Sequence, residues 1–315
     1  MALLATFLQT LETTLPVFAM VFIGLGLRRL GWIDAAFINT ASALVFRATL
    51  PTLVFLSIVR ADLDATFNPA LLVFFLTATL ASFMLSWAWA LHAVPMADRG
   101  VYVQGAFRGN CGIVGLALAA SLYGDYGLSA GGLLLGVVIV SYNTLAVIVL
   151  TTYLPGQSTS WLRIVSDILR NPLILAVIIA LPFAGFDLQL PDWLMTSGDY
   201  FASLTLPLAL LCIGGTLSLS SMRSDRRVAI SASILKMVTL PVLCTLGAWM
   251  AGFEGRELGL MFLFFASPTA AASFIMVKAL GGNERLAANI VAITTLLASV
   301  TVTLGVFALR TAGVA

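Results

Sequence analysis

Runs of about 20 consecutive apolar residues recur along the whole 315-residue chain. A helix of that length spans the roughly 30 Å hydrocarbon core of a bilayer. Hydrophobic residues make up 60% of the chain and charged residues only 10%, whereas soluble domains carry about 25% charged residues. The chain therefore cannot cover itself with a solvated surface, and we predict an all-α, polytopic membrane protein without a separate globular domain.

Apolar runs separated by charged breaks predict ten transmembrane helices. They lie at residues 13–30, 37–59, 69–91, 101–122, 128–152, 172–186, 193–219, 228–252, 257–279 and 286–308. Lys and Arg concentrate in alternate loops: one set holds Arg28, Arg29, Arg99, Arg163, Arg170, Arg223, Arg226, Arg227, Lys278 and Arg285, and the other only Arg60, Arg256 and Arg310. Basic loops stay in the cytoplasm. We therefore expect a multi-pass protein of the bacterial cytoplasmic (inner) membrane with both termini on the non-cytoplasmic side.

The two halves of the sequence share short motifs in the same order. ATLPTLVFL at 48–56 corresponds to LTLPLALLC at 204–212, and LYGDYGLSAG at 122–131 corresponds to ALGGNERLAA at 279–288, at offsets of 156 and 157 residues. Each half holds five predicted spans, and because five is odd the halves must have opposite orientations. The sequence thus predicts two inverted five-helix repeats, 1–157 and 158–315, an arrangement characteristic of secondary transporters.

Spans four and nine carry helix-weakening residues at corresponding positions. Glycine weakens a helix and proline removes a backbone donor, and the residues concerned are Gly105, Gly109, Gly112 and Gly115 around Asn110, and Ser267, Pro268, Thr269 and Ser273. We predict that both spans are broken and cross each other, with half-helix N-termini that suit an anion. The alternative is that small residues only allow close helix packing.

Spans two and seven share Thr-Leu-Pro, at Thr49–Pro51 and Thr205–Pro207. A proline within a span kinks the helix and frees a carbonyl, so we expect Pro51 and Pro207 to lie beside the crossing of spans four and nine. Alternatively, each proline only bends its helix.

Embedded charge gives the sharper indication of function. All fourteen Asp and Glu residues fall in predicted loops or at span ends, whereas Arg47, Arg108 and Lys236 lie within spans two, four and eight. A cation at the bilayer centre costs at least about 2.5–3.5 kcal/mol and should face a cavity or a partner. For Arg108 and Lys236 the alternative is that the side chain extends along the helix to water, since both are near enough to the cytoplasmic side to reach it. Arg47 has no such route, and it is the preferred counter-charge for an anionic substrate.

The motifs together resemble the auxin efflux carrier family over essentially the whole chain. The resemblance rests on LPVFAMVFIGLGLRRLGWID, the TLP of span two, FRGNCGIVGLAL followed by LYG, and SPTAAASFIMVKALGGN. Membership implies two inverted five-helix repeats, with spans 1, 2, 6 and 7 as a scaffold and spans 3–5 and 8–10 as a transport unit. It also implies crossing broken helices as in bile-acid symporters and places Asn110 beside the substrate carboxylate. Two prolines common in the family are replaced here by Ala117 and Ser273.

We therefore predict a secondary carrier that moves a small carboxylate by alternating access. Arg47 supplies counter-charge, while Asn110 and the backbone from Gly109 through Cys111 to Gly112 bind the carboxylate. Ser267, Pro268 and Thr269 close the site from the other repeat, and Asn143 and Thr295 are polar wall groups.

No cofactor, metal or nucleic acid is expected; the partners are a small organic anion and the lipid bilayer, and a homodimer is left open. Uniport, or a proton carried on the substrate acid, is favoured, since no acidic residue lies at depth. The alternatives are a sodium- or proton-coupled symporter on the same fold and, less favoured, a membrane-embedded enzyme.

Overall fold

The computed structural model describes residues 2–61, 67–153, 162, 165–166, 169–186, 188–217 and 226–314. These residues form helices and contain no β-strand. The helices are α1 (Ala2–Arg29), α2 (Ala35–Leu44), α3 (Leu50–Val59), α4 (Pro69–Ala93), α5 (Arg99–Phe107), α6 (Leu116–Tyr153), α7 (Pro172–Gly185), α8 (Asp192–Ser203), α9 (Thr205–Thr216), α10 (Arg226–Ile234), α11 (Leu240–Met250), α12 (Gly255–Phe265), α13 (Ala271–Ala279) and α14 (Glu284–Thr311). Two arginines of the predicted basic loops, Arg163 and Arg223, lie outside the described residues.

Seven helical segments of the described chain are long and apolar enough to cross a membrane. They are Leu3–Arg29, Ala35–Val59, Pro69–Ala93, Cys111–Tyr153, Asp192–Thr216, Arg226–Met250 and Glu284–Thr311. Helix α7 is also apolar but has only 14 residues. A multi-pass, all-helical membrane protein is therefore confirmed, whereas the count of ten crossings stays a prediction.

The longest of these segments, Cys111–Tyr153, is two helices joined at a sharp turn. Gly124 has non-helical angles (φ 55°, ψ −132°) in the middle of the segment. A Cβ at Gly127 would overlap the carbonyl of Ala119, although residues eight apart in a straight helix are about 12 Å apart. The chain therefore turns back on itself at Gly124, close to the predicted division between spans four and five at 122–128.

Two spans contain a π-helical segment directly before a proline. The segments are Val45–Thr49, followed by Pro51, and Leu235–Thr239, followed by Pro241. Proline has no N–H for the carbonyl four residues earlier, and a wider π-type turn accommodates that missing bond. Each span continues as a helix beyond its proline.

The helix contacts form two groups that also pack on each other, through α1 on α14 and α3 on α6. In the first, α1 contacts α9, α2 contacts α9 and α3 contacts α7. The α1–α9 contact is a close approach of backbones, because a Cβ at Gly24 would overlap the Leu211 carbonyl and a Cβ at Gly214 would overlap the Val21 carbonyl. In the second group α4 packs on α5, α11 on α12, and α10 and α13 on α14.

Candidate functional site

The first helix break lies between α5 and α6. Helix α5 ends at Phe107, and helical structure resumes at Cys111 as a π-helical segment, Cys111–Gly115. Between them Arg108 is extended (φ −82°, ψ 101°) and Asn110 is non-helical (φ −85°, ψ 57°). The interruption predicted for span four lies at these residues, in a stretch that contains no proline.

The second break separates α12 from α13. Helix α12 ends at Phe265 and α13 begins at Ala271, after an extended Ala270 (φ −63°, ψ 132°). Pro268 lies within this break, and every residue from Leu258 to Ala270 is buried. The interruption predicted for span nine is therefore present as well.

The two broken segments pair with each other as a short antiparallel bridge between Gly109 and Thr269. The N–H of Asn110 donates to the Pro268 carbonyl at 2.7 Å, and the N–H of Ala270 donates to the Arg108 carbonyl at 3.1 Å. Backbone groups that leave a helix inside a membrane need such partners. We call this pair of segments, 108–110 and 266–270, the crossover.

Glycine is required at position 109 by the closeness of the second segment. A Cβ there would lie 2.5 Å from the Ser267 Oγ, 3.0 Å from the Lys236 Nζ and 3.3 Å from the Cys111 Sγ. A larger residue would force the Ser267 hydroxyl and the Lys236 ammonium to shift from these positions.

Two hydroxyl side chains from the second break donate hydrogen bonds to carbonyls in the last turns of the helices that end at the crossover. The Thr269 hydroxyl donates to the Gly105 carbonyl in the last turn of α5 at 2.7 Å, and the Ser267 hydroxyl donates to the Phe264 carbonyl in the last turn of α12 at 2.7 Å. The last carbonyls of a helix have no partner within it. Thr269 therefore joins the two broken spans, whereas Ser267 caps the end of its own helix, in addition to any role toward a ligand.

Lys236 brings a cation to the crossover from α10–α11. Its ammonium donates to the carbonyl of Phe265, the last residue of α12, at 3.0 Å. The side chain is 1% exposed, so extension to water is wrong for this residue. A cation at a helix C-terminus is favourable, but the net charge of Lys236 has no carboxylate partner in the part of the chain that the structure describes.

The residues around Lys236 form what we call the closed side of the crossover. Cys111 is 1% exposed, and its thiol lies 3.3 Å from the Phe264 carbonyl, 3.5 Å from the Ser267 hydroxyl and 3.8 Å from the Tyr142 hydroxyl. Every one of these groups is buried.

Arg108, Asn143 and Met276 form what we call the open side of the crossover. We place Asn110 on this side because side chains alternate along an extended chain and position 109, between Arg108 and Asn110, faces Ser267 and Lys236 on the closed side. The Arg108 guanidinium donates to the Asn143 Oδ1 at 2.8 Å and contacts the Met276 sulfur. Asn143 and Met276 are only partly buried, as are Gly112, Ile113 and Ala271 beside them, and Ala272 is exposed. This side therefore keeps accessible surface at the starts of two half-helices, where N–H groups lack partners within the helix.

Asn110 is the polar group of the open side that lacks a partner. It is 9% exposed, and its amide side chain makes no hydrogen bond to any residue the structure describes. The accessible part of the residue lets a ligand reach the amide. Asn110 is thus placed to bind something that enters from the open side.

Several predicted residues lie elsewhere. Arg47 is exposed and has no hydrogen bond or ion pair with a described residue. Its segment packs on α7, α8 and α9 rather than joining the crossover pairing. Pro207 is exposed, and the Thr295 hydroxyl bonds the Val291 carbonyl of its own helix at 2.7 Å. The structure thus does not bring Arg47 to Asn110, and the role of Arg47 as a counter-charge for the substrate stays a prediction.

Other predicted residues lie beside the crossover as packing groups. A Cβ at Gly112 would lie 4.0 Å from Leu50, which precedes Pro51, and a Cβ at Gly115 would lie 3.5 Å from Phe264. Ala117 and Ser273, at the positions of the two absent prolines, are both buried.

Sequence reasoning did not single out Gln104 or Met276. Gln104 is fully buried, its Nε2 approaches the Met276 sulfur at 3.5 Å, and its Oε1 has no hydrogen-bond partner among the described residues. A glutamine one helical turn before Arg108 is the signal that was available in the sequence.

No group of three or more His, Cys, Asp or Glu residues that could hold a metal ion occurs within the described ranges.

Comparison with known proteins agrees with this architecture. A family described as "Membrane transport protein" matches residues 9–160 and 159–306. An uncharacterized transporter of Methanothermobacter thermautotrophicus is 24% identical over 275 residues, which cover 84% of this chain and 86% of that protein. An uncharacterized transporter of Methanocaldococcus jannaschii is 23% identical over 297 residues, which cover 90% of this chain and 94% of that protein.

Proposed function

The chain belongs to the membrane transport protein family, that of the auxin efflux carriers, and on that premise we propose that it is a secondary carrier of small organic anions. The substrates are carboxylates, such as malonate or an auxin-like monocarboxylate, and the carrier works by alternating access. The protein we propose is a transporter and not an enzyme, which is consistent with its family.

The observation that carries this proposal is Asn110. An amide without a hydrogen-bond partner among the described residues, next to two half-helix N-termini, offers a carboxylate the N–H donors of its side chain and further donors from the backbone. Lys236 stands behind the crossover and contributes positive charge without blocking the open side. In this arrangement Lys236 takes the counter-charge role that the sequence favours for Arg47.

The absence of buried carboxylates supports an anionic substrate. Within the described ranges Arg108 and Lys236 are buried, whereas no Asp or Glu is. The two ion pairs within those ranges, Arg60–Asp199 and Lys278–Glu284, lie at the surface, with side chains about half exposed. An anion that enters the crossover supplies the charge that the protein itself lacks there.

The proposed architecture is ten crossings in two inverted repeats, 1–157 and 158–315. It is supported by one helix break in each half and by the pairing of the two breaks. The group of α1, α2, α3, α7, α8 and α9 corresponds to the proposed scaffold, and the group of α4 to α6 and α10 to α14 to the proposed transport unit. Sliding of one group against the other would move the crossover between the two membrane faces.

Orientation, location and coupling complete the proposal. The protein lies in a bacterial inner membrane with both termini on the non-cytoplasmic side, because the more basic of the alternating loops stay in the cytoplasm.

Transport is uniport or uses a proton carried on the substrate, since no described carboxylate lies within the membrane to carry a proton. A homodimer is compatible with the scaffold group as its interface.

The test is uptake of radiolabelled malonate and acetate by proteoliposomes that contain the full-length protein. We expect uptake above that of empty liposomes, and a fall of about 10-fold or more in Asn110→Ala. The matched control is Asn39→Ala, at an exposed position of α2, which should retain wild-type uptake. Equal rates in wild type and Asn110→Ala, or no uptake of any organic anion, would contradict the proposed function.

A further inference from the structure

An apolar groove lies between α4 and α11. Its volume is about 340 Å³, which is within the range of small-molecule sites. The residues that face each other across it are mostly small: Ala78, Ala81 and Ser82 on α4, and Leu243, Cys244 and Gly247 on α11. Because small side chains meet small side chains here, a gap stays between the two helices.

The groove runs lengthwise along α4, within a membrane-spanning segment. Its lining on this helix extends from Phe74 to Leu85, which is roughly 16 Å at 1.5 Å per residue. The span itself is Pro69–Ala93, so the lining lies in its central part. That part of a span lies in the hydrocarbon core of the bilayer. The groove is therefore at a depth where lipid chains, and not headgroups, surround the protein.

The groove has an exposed rim and a buried floor in the part of the chain that the structure describes. The rim residues are Thr77, Ala81, Leu85 and Leu243, and the floor residues are Ala78, Ser82, Leu240 and Cys244. Beside the rim, Val242 and Leu246 are each 50% exposed. Large exposed apolar side chains at this depth indicate a surface that faces lipid, and the groove opens onto it.

The polar groups of the groove are already bonded within the protein. The Ser82 hydroxyl donates to the Ala78 carbonyl at 2.7 Å and lies 3.3 Å from the Cys244 sulfur. The Thr77 hydroxyl donates to the Phe74 carbonyl at 2.9 Å. No charged residue of the described ranges lines the groove. It therefore offers a ligand hydrocarbon contact, without a charge and without a free hydroxyl donor.

We propose that the groove is a binding site for one acyl chain of a membrane phospholipid. The chain lies along the two helices and fills the gap between their small residues, while the headgroup stays at the membrane surface. A lipid chain has the chemistry that the lining requires, and the bilayer supplies it at the open rim. The site needs neither the substrate nor the crossover, so it stands independently of the proposed carrier function.

A chain in this groove supports the part of the molecule that carries Lys236. Leu240, on the floor, follows Lys236 by four residues. On α4, Phe75 stacks at 4.7 Å on Phe265, whose carbonyl accepts the Lys236 hydrogen bond. A ligand that binds only the folded protein raises its stability, so the bound lipid should stabilise this region.

The first test needs no variant. Thermal unfolding of the delipidated full-length protein is measured in a steroid-based detergent, which has no alkyl chain to compete for the groove. Dioleoyl-phosphatidylcholine and dioleoyl-phosphatidylglycerol should raise the midpoint equally, by about 2 °C or more. Dihexanoyl-phosphatidylcholine should not raise it, because its chains end before they reach the depth of the groove.

The second test assigns the lipid to the groove. Ala81→Leu fills the groove with little change in helix propensity. By native mass spectrometry the wild type should retain one phospholipid more than Ala81→Leu, and the dioleoyl lipids should stabilise the variant at least about threefold less. Ala88→Leu is the matched control, since Ala88 is an exposed residue of the same helix outside the groove lining. It should behave as the wild type.

Three results would overturn the site. Equal lipid retention in wild type and Ala81→Leu would show that the groove only faces fluid bilayer. Stabilisation by one headgroup alone, or by dihexanoyl-phosphatidylcholine as well, would show that the headgroup and not the chain is recognised. A wild-type dimer that dissociates in Ala81→Leu would show that a second copy of the chain covers the groove. If Ala81→Leu does not fold, the comparison of long and short chains on the wild type decides, and a failure of anion uptake leaves this site unaffected.

Discussion

Arg47 and Lys236 occupy nearly the same local sequence but opposite environments. Both lie in a π-helical segment that ends in threonine and runs into Leu-Pro, Val45–Thr49 in one case and Leu235–Thr239 in the other. Arg47 is exposed, whereas Lys236 is 1% exposed and bonds a helix end at the crossover. A motif that looks equivalent in the sequence therefore gives one surface cation and one site cation.

The two cations stand at different distances from the threonine. Arg47 precedes its threonine by two positions and Lys236 precedes its threonine by three. Residues two apart point to roughly opposite sides of a helix, so Arg47 lies across the helix from Thr49. Thr49 is fully buried, and Arg47 accordingly faces outward. In the other segment Thr239 is only partly buried while Lys236 is buried, so there the threonine does not mark the buried side.

The largest expected effect is the loss of Lys236. Lys236→Met should reduce uptake of carboxylate by proteoliposomes at least about 30-fold, because removing one side of a buried charge interaction costs about 2–5 kcal/mol. Arg47→Met should stay within about twofold, as is usual for exposed positions. The opposite ranking, with uptake lost in Arg47→Met and kept in Lys236→Met, would restore Arg47 as the counter-charge.

A swap of two positions tests whether the place of the cation matters, and the expected effect is of the same size. In Lys236→Val combined with Val238→Lys the composition is unchanged, but the cation moves from a buried position to an exposed one, as Arg47 is exposed in its own segment. Val238 is 46% exposed, so the new lysine should be tolerated and the protein should fold. We expect uptake as low as in Lys236→Met; wild-type uptake would show that the position of the cation is not decisive.

Gly109→Ala should have a smaller effect than the Lys236 variants, and it should lower the stability of the protein by disturbing the packing at the crossover. The new Cβ would lie 2.5 Å from the Ser267 Oγ and 3.0 Å from the Lys236 Nζ, and overpacking of this kind costs about 1–3 kcal/mol. Thermal unfolding in detergent should show a lower midpoint. Gly136→Ala, where a Cβ meets nothing within 4 Å, is the control, and equal midpoints for the two variants would argue against a tight crossover.

The smallest expected effect concerns the threonine of the motif. The Thr49 hydroxyl is buried without a hydrogen-bond partner among the described residues, so Thr49→Val should stabilise the protein by about 1 kcal/mol by removing an unsatisfied group. Thr52→Val is the matched control, because the Thr52 hydroxyl bonds the Ala48 carbonyl at 3.0 Å and its loss should not stabilise. Destabilisation by Thr49→Val would indicate that this hydroxyl bonds a group outside the described residues.

Much of the fold could be predicted from local patterns. Apolar run lengths identify the membrane-spanning helices, and the clusters at Gly109–Gly115 and Ser267–Thr269 mark both breaks, since glycine, proline and small polar residues weaken a helix wherever it packs. The breaks of spans four and nine accordingly lie where the sequence places them. The turn at Gly124 also follows from a local property, because a positive φ is available to glycine at little cost.

The arrangement of the site was less predictable. The preference for Arg47 relied on its depth along a helix axis, which does not say which way a side chain faces. Lys236 seemed able to reach water, but neighbouring helices bury it. Cys111 follows Asn110 directly in the sequence, yet its thiol lies on the closed side and the Asn110 amide belongs to the open side.

The sequence by itself determined that this chain is a helical membrane protein, where two of its helices break, and that its embedded charges are positive. These properties depend on composition and on spacing along a single segment. Only the tertiary structure decided that the breaks pair through Gly109 and Thr269, and that Lys236 lies behind them and Arg108 on the accessible side. Those outcomes depend on the rotation of each helix against neighbouring helices from other parts of the chain, which no single segment encodes.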